Sequence, residues 1–322
     1  MIPIIFKLLT GRLRNIVILN SGYSFLILIL YRGRFDESNT LLISSDTMPY
    51  YISDKFSNCI RIRKLPSAKI QKMFYFLKYK IKYFILKSVI KLKSRKIDFY
   101  GCDHYFFSDL LSSSNYTLIE DGLINYQISS NKINFFYRLF IKKPFGLNEK
   151  CKRIILTGAK KIPKIIFNKV EILDIYNSSF IKDIDEYFKI DRLYIEHSIK
   201  NWILIPQGFD EFCWCSEDEK INLYKTLLKK EGFNENDRLY IKPHPREFTN
   251  YEKYFPDATI LKYDIPLEIY SLKDINFNYA LTIYSTAIFN INAKCKIFTG
   301  TNDIGFLKEK NIKFGRKVFY DR

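Results

Sequence analysis

The sequence contains few of the residues that build metal and disulfide sites. Of its 322 residues, three are histidine and six are cysteine, and no pair of them has a zinc-ligand spacing. We therefore expect the cysteines to be reduced structural thiols. The chain also lacks a long uninterrupted apolar run and a signal-peptide cleavage site, so we expect a cytoplasmic protein.

Acidic residues are scarce relative to basic ones. The chain has 34 acidic residues against 52 lysines and arginines, a formal net charge of +18. A surface of that sign attracts phosphates, anionic lipids, acidic glycans or nucleic acid, and the charge alone does not choose among them. The content of 47% hydrophobic and 27% charged residues is typical of a globular protein and argues against disorder.

Strand patterns alternate with helical ones along most of the chain. The predicted strands are residues 15–20, 40–44, 97–101, 116–120 and 153–157 in the first half, and 201–206, 238–242, 258–261, 279–284 and 296–299 in the second. The predicted helices between them include residues 23–31, 218–231, 266–272 and 286–293. This alternation predicts an α/β protein with two Rossmann-like domains, residues 1–195 and 196–322, and a ligand in a cleft at the strand ends.

Residues 68–93 form one long lysine-rich segment without an acidic residue. Its apolar and basic positions recur at helical spacing, which predicts an amphipathic helix. The helix either packs its apolar side on the sheet or docks on an anionic membrane, and both interpretations stay open.

The first chemical motif is Glu120-Asp121-Gly122, directly after a predicted strand. Two adjacent carboxylates at a strand end can raise one pKa, which suits a general base. The alternative is turn chemistry, because Asp-Gly is a common turn pair.

The second motif surrounds His244. Two prolines make its backbone stiff, and Lys242 and Arg246 flank it with positive charge. The segment is a candidate anion site in which the imidazole donates a proton or a hydrogen bond. The other two histidines, His104 and His197, lack such surroundings and are predicted to be structural.

The third motif is Ser285-Thr286, between a predicted strand and a predicted helix. Small hydroxyl residues there are typical N-caps. The same position also suits a phosphate, because the first backbone N–H groups of a helix have no partner within the helix.

The three motifs in this order resemble the bacterial sialyltransferases of glycosyltransferase family 52, the lipooligosaccharide type, and more distantly the bacterial polysialyltransferases. The opening NIVILNSGYSFLILILY is also similar to that family's first strand and helix. The resemblance implies a GT-B-like fold with an acceptor-side N-terminal domain and a C-terminal domain that binds CMP. The implied reaction transfers sialic acid from CMP-sialic acid to a galactose-type sugar of a surface glycan such as lipooligosaccharide or capsule.

The resemblance also implies roles for particular residues. The carboxylate pair would be catalytic, with Asp121 as the base that deprotonates the acceptor and Glu120 beside it. His244-Pro245 would bind the CMP phosphate and assist its departure, and Ser285 and Thr286 would hold the same phosphate.

Four more residues complete the candidate site. Glu268 resembles the acidic residue that holds the nucleotide ribose, although it would also suit a helix cap. Lys242 and Arg246 are added to the CMP site because of their charge and position. Asp210, next to Glu211 after another predicted strand, is the alternative base.

The donor chemistry needs no metal or other cofactor, because a histidine and helix amides can neutralise the single phosphate of CMP. The only D-x-D sequence, at Asp183 and Asp185, lies in a charged segment away from a strand end. We therefore expect inverting, metal-independent transfer. We also expect a peripheral protein of the inner membrane face that forms a homodimer and binds no nucleic acid. The competing interpretations are transfer from another nucleotide sugar, a basic nucleic-acid-binding protein and a membrane scaffold without catalysis.

Overall fold

The chain folds into two α/β units, Met1–Lys189 and Ile190–Arg322. The computed structural model describes residues 2–62, 69–93, 96–105, 107–126, 143–190, 193, 195–196, 198–211, 213–245, 247–310 and 314–320. Arg246 and His197 lie outside the described residues, so their predicted roles stay predictions. The observed division falls six residues before the one predicted at 195.

The first unit is built on a parallel sheet. Its strands are β1 (Asn15–Ile18), β2 (Thr40–Ser45), β3 (Asn58–Ile62), β4 (Asp98–Gly101), β5 (Tyr116–Ile119), β6 (Cys151–Leu156) and β7 (Val170–Ile172). They lie in the order β3–β2–β1–β4–β5–β6–β7. All four residues of β1 are buried, as expected for an apolar strand at the centre of a parallel sheet.

Helices and 3-10 turns connect these strands. The helices are α1 (Ile2–Leu9), α2 (Gly22–Arg32), α3 (Tyr50–Ser53), α4 (Lys69–Lys93) and α5 (Ile184–Tyr187). The 3-10 turns are Ser108–Ser113, Ile124–Tyr126, Lys164–Lys169 and Ile181–Asp183. Helix α4 confirms that the lysine-rich segment is helical, but four of its apolar residues are exposed, so its described part is not apolar on one side alone: Phe74, Phe84, Ile85 and Leu92. In the described part of the chain, no helix is long and apolar enough to cross a bilayer.

The strand order of the first unit reverses between β1 and β4, which brings their carboxyl ends side by side. Only a glycine fits at Gly101, because a Cβ atom there would meet the carbonyl oxygen of Ile18 on β1. The loops that follow β1, β4 and β5 therefore leave one edge of the sheet as neighbours. Ligands of parallel α/β sheets bind at such a reversal.

The second unit contains a six-stranded sheet. Its strands are β8 (Asn201–Leu204), β9 (Arg238–Ile241), β10 (Thr259–Ile260), β11 (Phe277–Thr282), β12 (Ala293–Phe298) and β13 (Lys317–Tyr320). They lie in the order β10–β9–β8–β11–β12–β13, and β13 alone among them pairs antiparallel. The helices are α6 (Glu217–Lys230), α7 (Tyr251–Tyr254), α8 (Leu267–Leu272) and α9 (Gly305–Glu309), with a 3-10 turn at Thr286–Asn290.

The sequence predicted the fold class and most of the elements. The α/β class with two Rossmann-like units is confirmed. Helix α6 begins at a capping box in which Ser216 and Glu219 bond each other's backbone N–H groups. The predicted helix over residues 286–293 is wrong, because the chain makes a five-residue 3-10 turn and enters β12 at Ala293.

Candidate active site

The carboxylate of Asp121 is the centre of a hydrogen-bond network at the carboxyl end of β5. Its Oδ1 accepts hydrogen bonds from the hydroxyls of Ser21 at 2.9 Å and Ser24 at 2.5 Å. Its Oδ2 accepts one from the hydroxyl of Tyr105 and lies 3.2 Å from Nε2 of His104. The side chain is one-eighth exposed, so part of it remains in contact with solvent.

The two serines reach Asp121 because they form the first turn of α2. Ser21 is the N-cap in an extended conformation, and its hydroxyl accepts from the backbone N–H of Ser24 at 3.1 Å. The N-terminus of a helix favours a negative charge, and β1 directs this end of α2 towards β5. The Asp-Gly turn forms as predicted, with Gly122 at φ +71°.

His104 follows β4 and was predicted to be a structural residue. The imidazole lies against Asp121, stacks on the ring of Phe145 and packs at a tilt against the ring of Tyr105, so the structure adds it to the Asp121 network. Its Nδ1 atom is buried and has no hydrogen-bond partner among the described residues. The sequence did contain one signal: His104 and Asp121 each follow a predicted strand, residues 97–101 and 116–120 respectively.

The network keeps Asp121 ionised. Burial alone would raise its pKa, but the hydrogen bond and charge of His104 and the hydrogen bonds from Ser24 and Tyr105 outweigh it. Together they lower the pKa of Asp121 to about 2. The carboxylate is therefore ionised at every physiological pH.

Glu120 has a different environment from its neighbour, with a side chain that is 1% exposed. Its oxygens accept from the hydroxyls of Tyr23 at 2.8 Å and Tyr126 at 2.9 Å, and from both the backbone and side chain of Thr157. These bonds tie β5 to α2 and to the loop after β6. This geometry gives Glu120 a positioning role beside Asp121 rather than contact with a reactant.

In the second unit, the His244 segment leaves the sheet at the end of β9, next to β8. His244 and Pro245 are both exposed, and the backbone N–H of His244 donates to Oε2 of Glu247 at 3.0 Å. The imidazole is therefore presented to solvent from a loop whose backbone is fixed by a carboxylate.

Lys242 is buried rather than presented to a ligand. Its ammonium donates to the carbonyl oxygens of Pro243 at 3.1 Å and Tyr263 at 3.0 Å. Burial lowers the pKa of Lys242 to about 8, although nearby acidic residues, Glu268 first among them, act in the opposite direction. These two hydrogen bonds connect the His244 loop to the segment of Tyr263 and stabilise the loop.

A buried ion cluster also supports this loop. Lys220 of α6 is fully buried, and its Nζ lies 2.5 Å from Asp210 Oδ1 and 3.1 Å from Glu247 Oε1. Glu211 completes the cluster at 4.0 Å and accepts from the backbone N–H of Phe248. Burial raises the pKa of Glu211, whereas the hydrogen bonds from Glu211 and Lys220 outweigh burial and lower the pKa of Asp210. Asp210, the alternative base, is thus held in an ion pair.

Asp210, Glu211 and Glu247 could bring one oxygen each within reach of a single cation. The ammonium of Lys220 already lies among these oxygens and supplies positive charge there. The described residues thus contain a carboxylate cluster with its own internal counter-ion.

Ser285 and Thr286 lie where they were predicted, after β11 and beside β8. Ser285 is an N-cap whose hydroxyl accepts from the backbone N–H of Ala287, and its own N–H donates to Thr282 Oγ1 at 3.2 Å. Glu268, in the first turn of α8, is buried and accepts from Asn290 Nδ2 at 2.6 Å. The loops after β8, β9 and β11 thus place the candidate CMP residues at one edge of the second sheet, while Glu268 lies at the start of α8.

The comparisons with known proteins agree with this architecture. The profile of Glycosyltransferase family 52 matches residues 38–302. An uncharacterized protein of Haemophilus influenzae is 31% identical, over 88% of this chain and 93% of its own.

Two solved structures have a similar fold. A 2,6-sialyltransferase of Photobacterium sp. JT-ISH-224, in a ternary complex with CMP and lactose, has a TM-score of 0.58 at 12% identity, covering 90% of this chain and 72% of its own. The GT-B domain of a Photobacterium damselae sialyltransferase has a TM-score of 0.52 at 12% identity, covering 86% and 88%. The two Rossmann-like units thus form a fold of the GT-B type.

Proposed function

Because the chain belongs to glycosyltransferase family 52, we propose that it is a sialyltransferase that moves sialic acid from CMP-sialic acid to a terminal galactose-type sugar of a bacterial surface glycan. The observation that carries this proposal is the ionised, one-eighth exposed carboxylate of Asp121 at the reversal point of the first sheet. The complex of the Photobacterium 2,6-sialyltransferase with CMP and lactose supports the choice of donor and acceptor class.

Asp121 is the proposed general base. It accepts the proton of the acceptor hydroxyl while that oxygen attacks the anomeric carbon of sialic acid. A base with a pKa of about 2 suffices, because the acceptor oxygen becomes strongly acidic as its new bond to carbon forms. Attack from the face opposite the leaving group inverts the anomeric configuration.

The second unit is proposed to bind the leaving CMP. As the bond between the anomeric carbon and the phosphate oxygen breaks, its electron pair stays on the phosphate. His244 stabilises that charge or donates a proton to it, and Ser285 and Thr286 contribute hydroxyl and backbone donors. Pro245 restricts the backbone of the His244 loop, and the buried Lys242 stabilises that loop. Glu268 is proposed to bind the ribose.

The proposed reaction proceeds without a divalent metal, because the leaving group has one phosphate and the site offers protein donors for it. Treatment with EDTA should leave the rate unchanged. Loss of activity that magnesium restores would contradict this part of the proposal.

The test is transfer from CMP-sialic acid to labelled lactose or N-acetyllactosamine, with Asp121→Asn and His244→Ala beside the wild type. A sialylated product that both variants lose would support the donor, the reaction and both roles. CMP release without a sialylated product would support CMP-sialic acid as the donor and would show that the chosen sugars are not acceptors. If neither CMP nor a sialylated product is released, and UDP or GDP but not CMP raises the melting temperature, the donor is another nucleotide sugar. Transfer from such a donor is the second candidate function.

Two further properties of the protein are proposed, its position in the cell and its oligomeric state. The net charge of +18 supports a peripheral position on the inner face of a bacterial membrane, where lipooligosaccharide or capsule precursors would be the acceptors. The resemblance to the family supports a homodimer. Light scattering of the purified protein at several concentrations tests the homodimer directly.

A further inference from the structure

A groove of about 730 Å³ lies at the amino ends of β4, β5 and β6, and we call it the β4–β6 groove. Its lining includes Asp98 and Tyr100 of β4, Thr117 of β5, and the residues that come directly before β5 and β6. Asp121 lies at the opposite end of β5, four residues after Thr117, which is roughly 13 Å along an extended chain. The β4–β6 groove is therefore a different site from the candidate active site.

A shift in strand pairing brings two cations to this groove. Tyr116 of β5 pairs with Cys151 of β6. The next residue of β5, Thr117, pairs with Arg153, which leaves Lys152 as an extra residue on β6. Neighbouring side chains of a regular strand point to opposite faces of the sheet, whereas a bulge of this kind changes the direction of a side chain. Lys152 and Arg153 are both exposed, and both line the β4–β6 groove.

The charges of the β4–β6 groove favour an anion. Its described lining contains three cations, Lys150, Lys152 and Arg153, and one carboxylate, that of Asp98. Among the residues that the structure describes, none of these cations forms an ion pair. Arg153 donates instead to the hydroxyl of Tyr31 at 3.1 Å. The positive charge of the groove is therefore available to a ligand.

Hydroxyl and amide side chains form another part of the lining: Ser113, Ser114, Asn115 and Thr117. The hydroxyl oxygen of Ser113 is buried and has no hydrogen-bond partner among the described residues, so one polar group at the groove is unsatisfied. Sites for apolar ligands are lined mainly by hydrophobic side chains, whereas this lining offers hydrogen-bond donors, acceptors and positive charge. Such a lining suits a ligand that carries several hydroxyls and a negative charge, as an acidic sugar does.

The size of the groove and its aromatic rings argue against other anions. A single phosphate ion would fill only a small part of 730 Å³. Nucleic acids are commonly bound by stacking of their bases on aromatic rings. In the groove, Phe99 and Tyr116 are buried. The ring of Tyr100 packs against Phe35 and Arg32. The described lining thus offers no free ring to a base, and an acidic saccharide fits it better.

We propose that the β4–β6 groove binds an acidic oligosaccharide, with the three cations at its carboxylates or phosphates and the hydroxyl and amide side chains at its sugar hydroxyls. The choice of a glycan rests on the proposed function, since a surface glycan is the class of molecule that the enzyme would modify. The preference for a negative charge rests on the groove itself. A glycan chain held at this groove keeps its free end at a high local concentration near Asp121 in the same unit.

The experiment is isothermal titration calorimetry of the purified full chain, with saturating CMP present so that the proposed donor site is occupied. The probes are a trimer of sialic acid, neutral lactose, inorganic phosphate and a short single-stranded DNA. The groove variant removes the three cations of the groove: Lys150→Gln, Lys152→Gln and Arg153→Gln. The matched lysine control removes three exposed lysines of the second unit: Lys229→Gln, Lys230→Gln and Lys308→Gln. Circular dichroism establishes that each variant is folded.

A further variant, Asn115→Trp, fills the groove from an exposed position without a change in charge. We expect the sialic acid trimer to bind the wild type and the lysine control equally. The groove variant and Asn115→Trp should bind it about tenfold more weakly, because three exposed charge contacts or the space for the sugar are lost. Binding should also weaken as the salt concentration rises, because salt screens the cations.

Equal affinity of the groove variant and the lysine control for the trimer would overturn the proposal, and so would lactose that binds as tightly as the trimer. Inorganic phosphate that binds as tightly as the trimer would reject the saccharide, as would DNA that binds the groove more tightly. Transfer from CMP-sialic acid to lactose is measured separately with the wild type. Transfer without trimer binding would reject the groove alone. Trimer binding that the groove variant loses, without transfer, would reject the proposed reaction alone.

Discussion

Nε2 of His104 lies 3.2 Å from Oδ2 of Asp121, although the two residues leave the sheet on different strands. The imidazole stacks on the ring of Phe145 and packs at a tilt against the ring of Tyr105, and these contacts hold it in position. This contact, together with the hydroxyls around Asp121, determines the protonation state of the proposed base.

Replacement of His104 should shift the pH dependence of transfer. In His104→Ala the carboxylate loses the main group that lowers its pKa, while burial continues to raise it. The acid limb of the pH–rate profile should therefore move to higher pH. His104→Gln can restore a hydrogen bond without the charge, so we expect a smaller shift. An identical acid limb in all three proteins would show that His104 does not tune Asp121.

Replacement of Asp121 by asparagine should lower kcat by at least about 10²-fold, because the acceptor hydroxyl loses its general base. Asp109→Asn is the control, since Asp109 pairs with Lys87 in the same unit away from the network. KM for CMP-sialic acid should change little in either variant. A normal kcat for Asp121→Asn would remove Asp121 from the mechanism.

Asp121 should also stabilise the fold at neutral pH and lose this contribution in acid. Its folded pKa of about 2 lies below the ordinary value of 3.8, so its contribution is present above pH 3.8 and is lost as the pH falls through 2. The shift corresponds to about 2 kcal/mol. Urea unfolding between pH 5 and pH 2 should therefore show a smaller loss of unfolding free energy for Asp121→Asn than for the wild type. Parallel curves would contradict the assigned pKa.

Lys220 should be essential for the stability of the second unit. Lys220→Met leaves buried carboxylates without their counter-ion, which costs about 3–5 kcal/mol of unfolding free energy. Lys229→Met, on the exposed side of the same helix, should change it by less than about 0.5 kcal/mol. Chemical denaturation of both variants gives the comparison. Equal stabilities would mean that the cluster does not hold the loops after β8 and β9.

Lys242 predicts a stability change at alkaline pH with the same sign as that of Asp121, since both folded pKa values are lowered. Its folded pKa of about 8 lies below the ordinary value of 10.5, so the buried charge is unfavourable at neutral pH. Between pH 8 and 10.5 the unfolded chain holds more protons, and this residue's contribution to stability rises with pH. Lys242→Met should lack that rise. Denaturation of both proteins at pH 7.5 and pH 10 measures the difference.

The local sequence was sufficient to predict most of the elements and the place of each motif. Buried strands are short apolar runs in the sequence, and the helix predicted over residues 218–231 corresponds to α6, Glu217–Lys230. Among the four edge strands, β10 was predicted but β3, β7 and β13 were missed: β3 has the mixed sequence NCIRI, β7 has three residues, and β13 pairs antiparallel at the end of its sheet. Such strands are half-exposed, so they lack the continuous apolar pattern that identifies a central strand.

The sequence by itself determined the alternating α/β pattern, the order of the three motifs and the chemistry that each residue type offers. The tertiary structure alone decided which of those residues act together. Ser21 and Asp121 are 100 positions apart, and they meet because β1, β4 and β5 end at the same edge of a parallel sheet. Likewise, the fold buries Lys242, where it stabilises the His244 loop, and places Lys220 among three carboxylates. The protonation and the partners of such buried groups depend on neighbours that are distant in the chain.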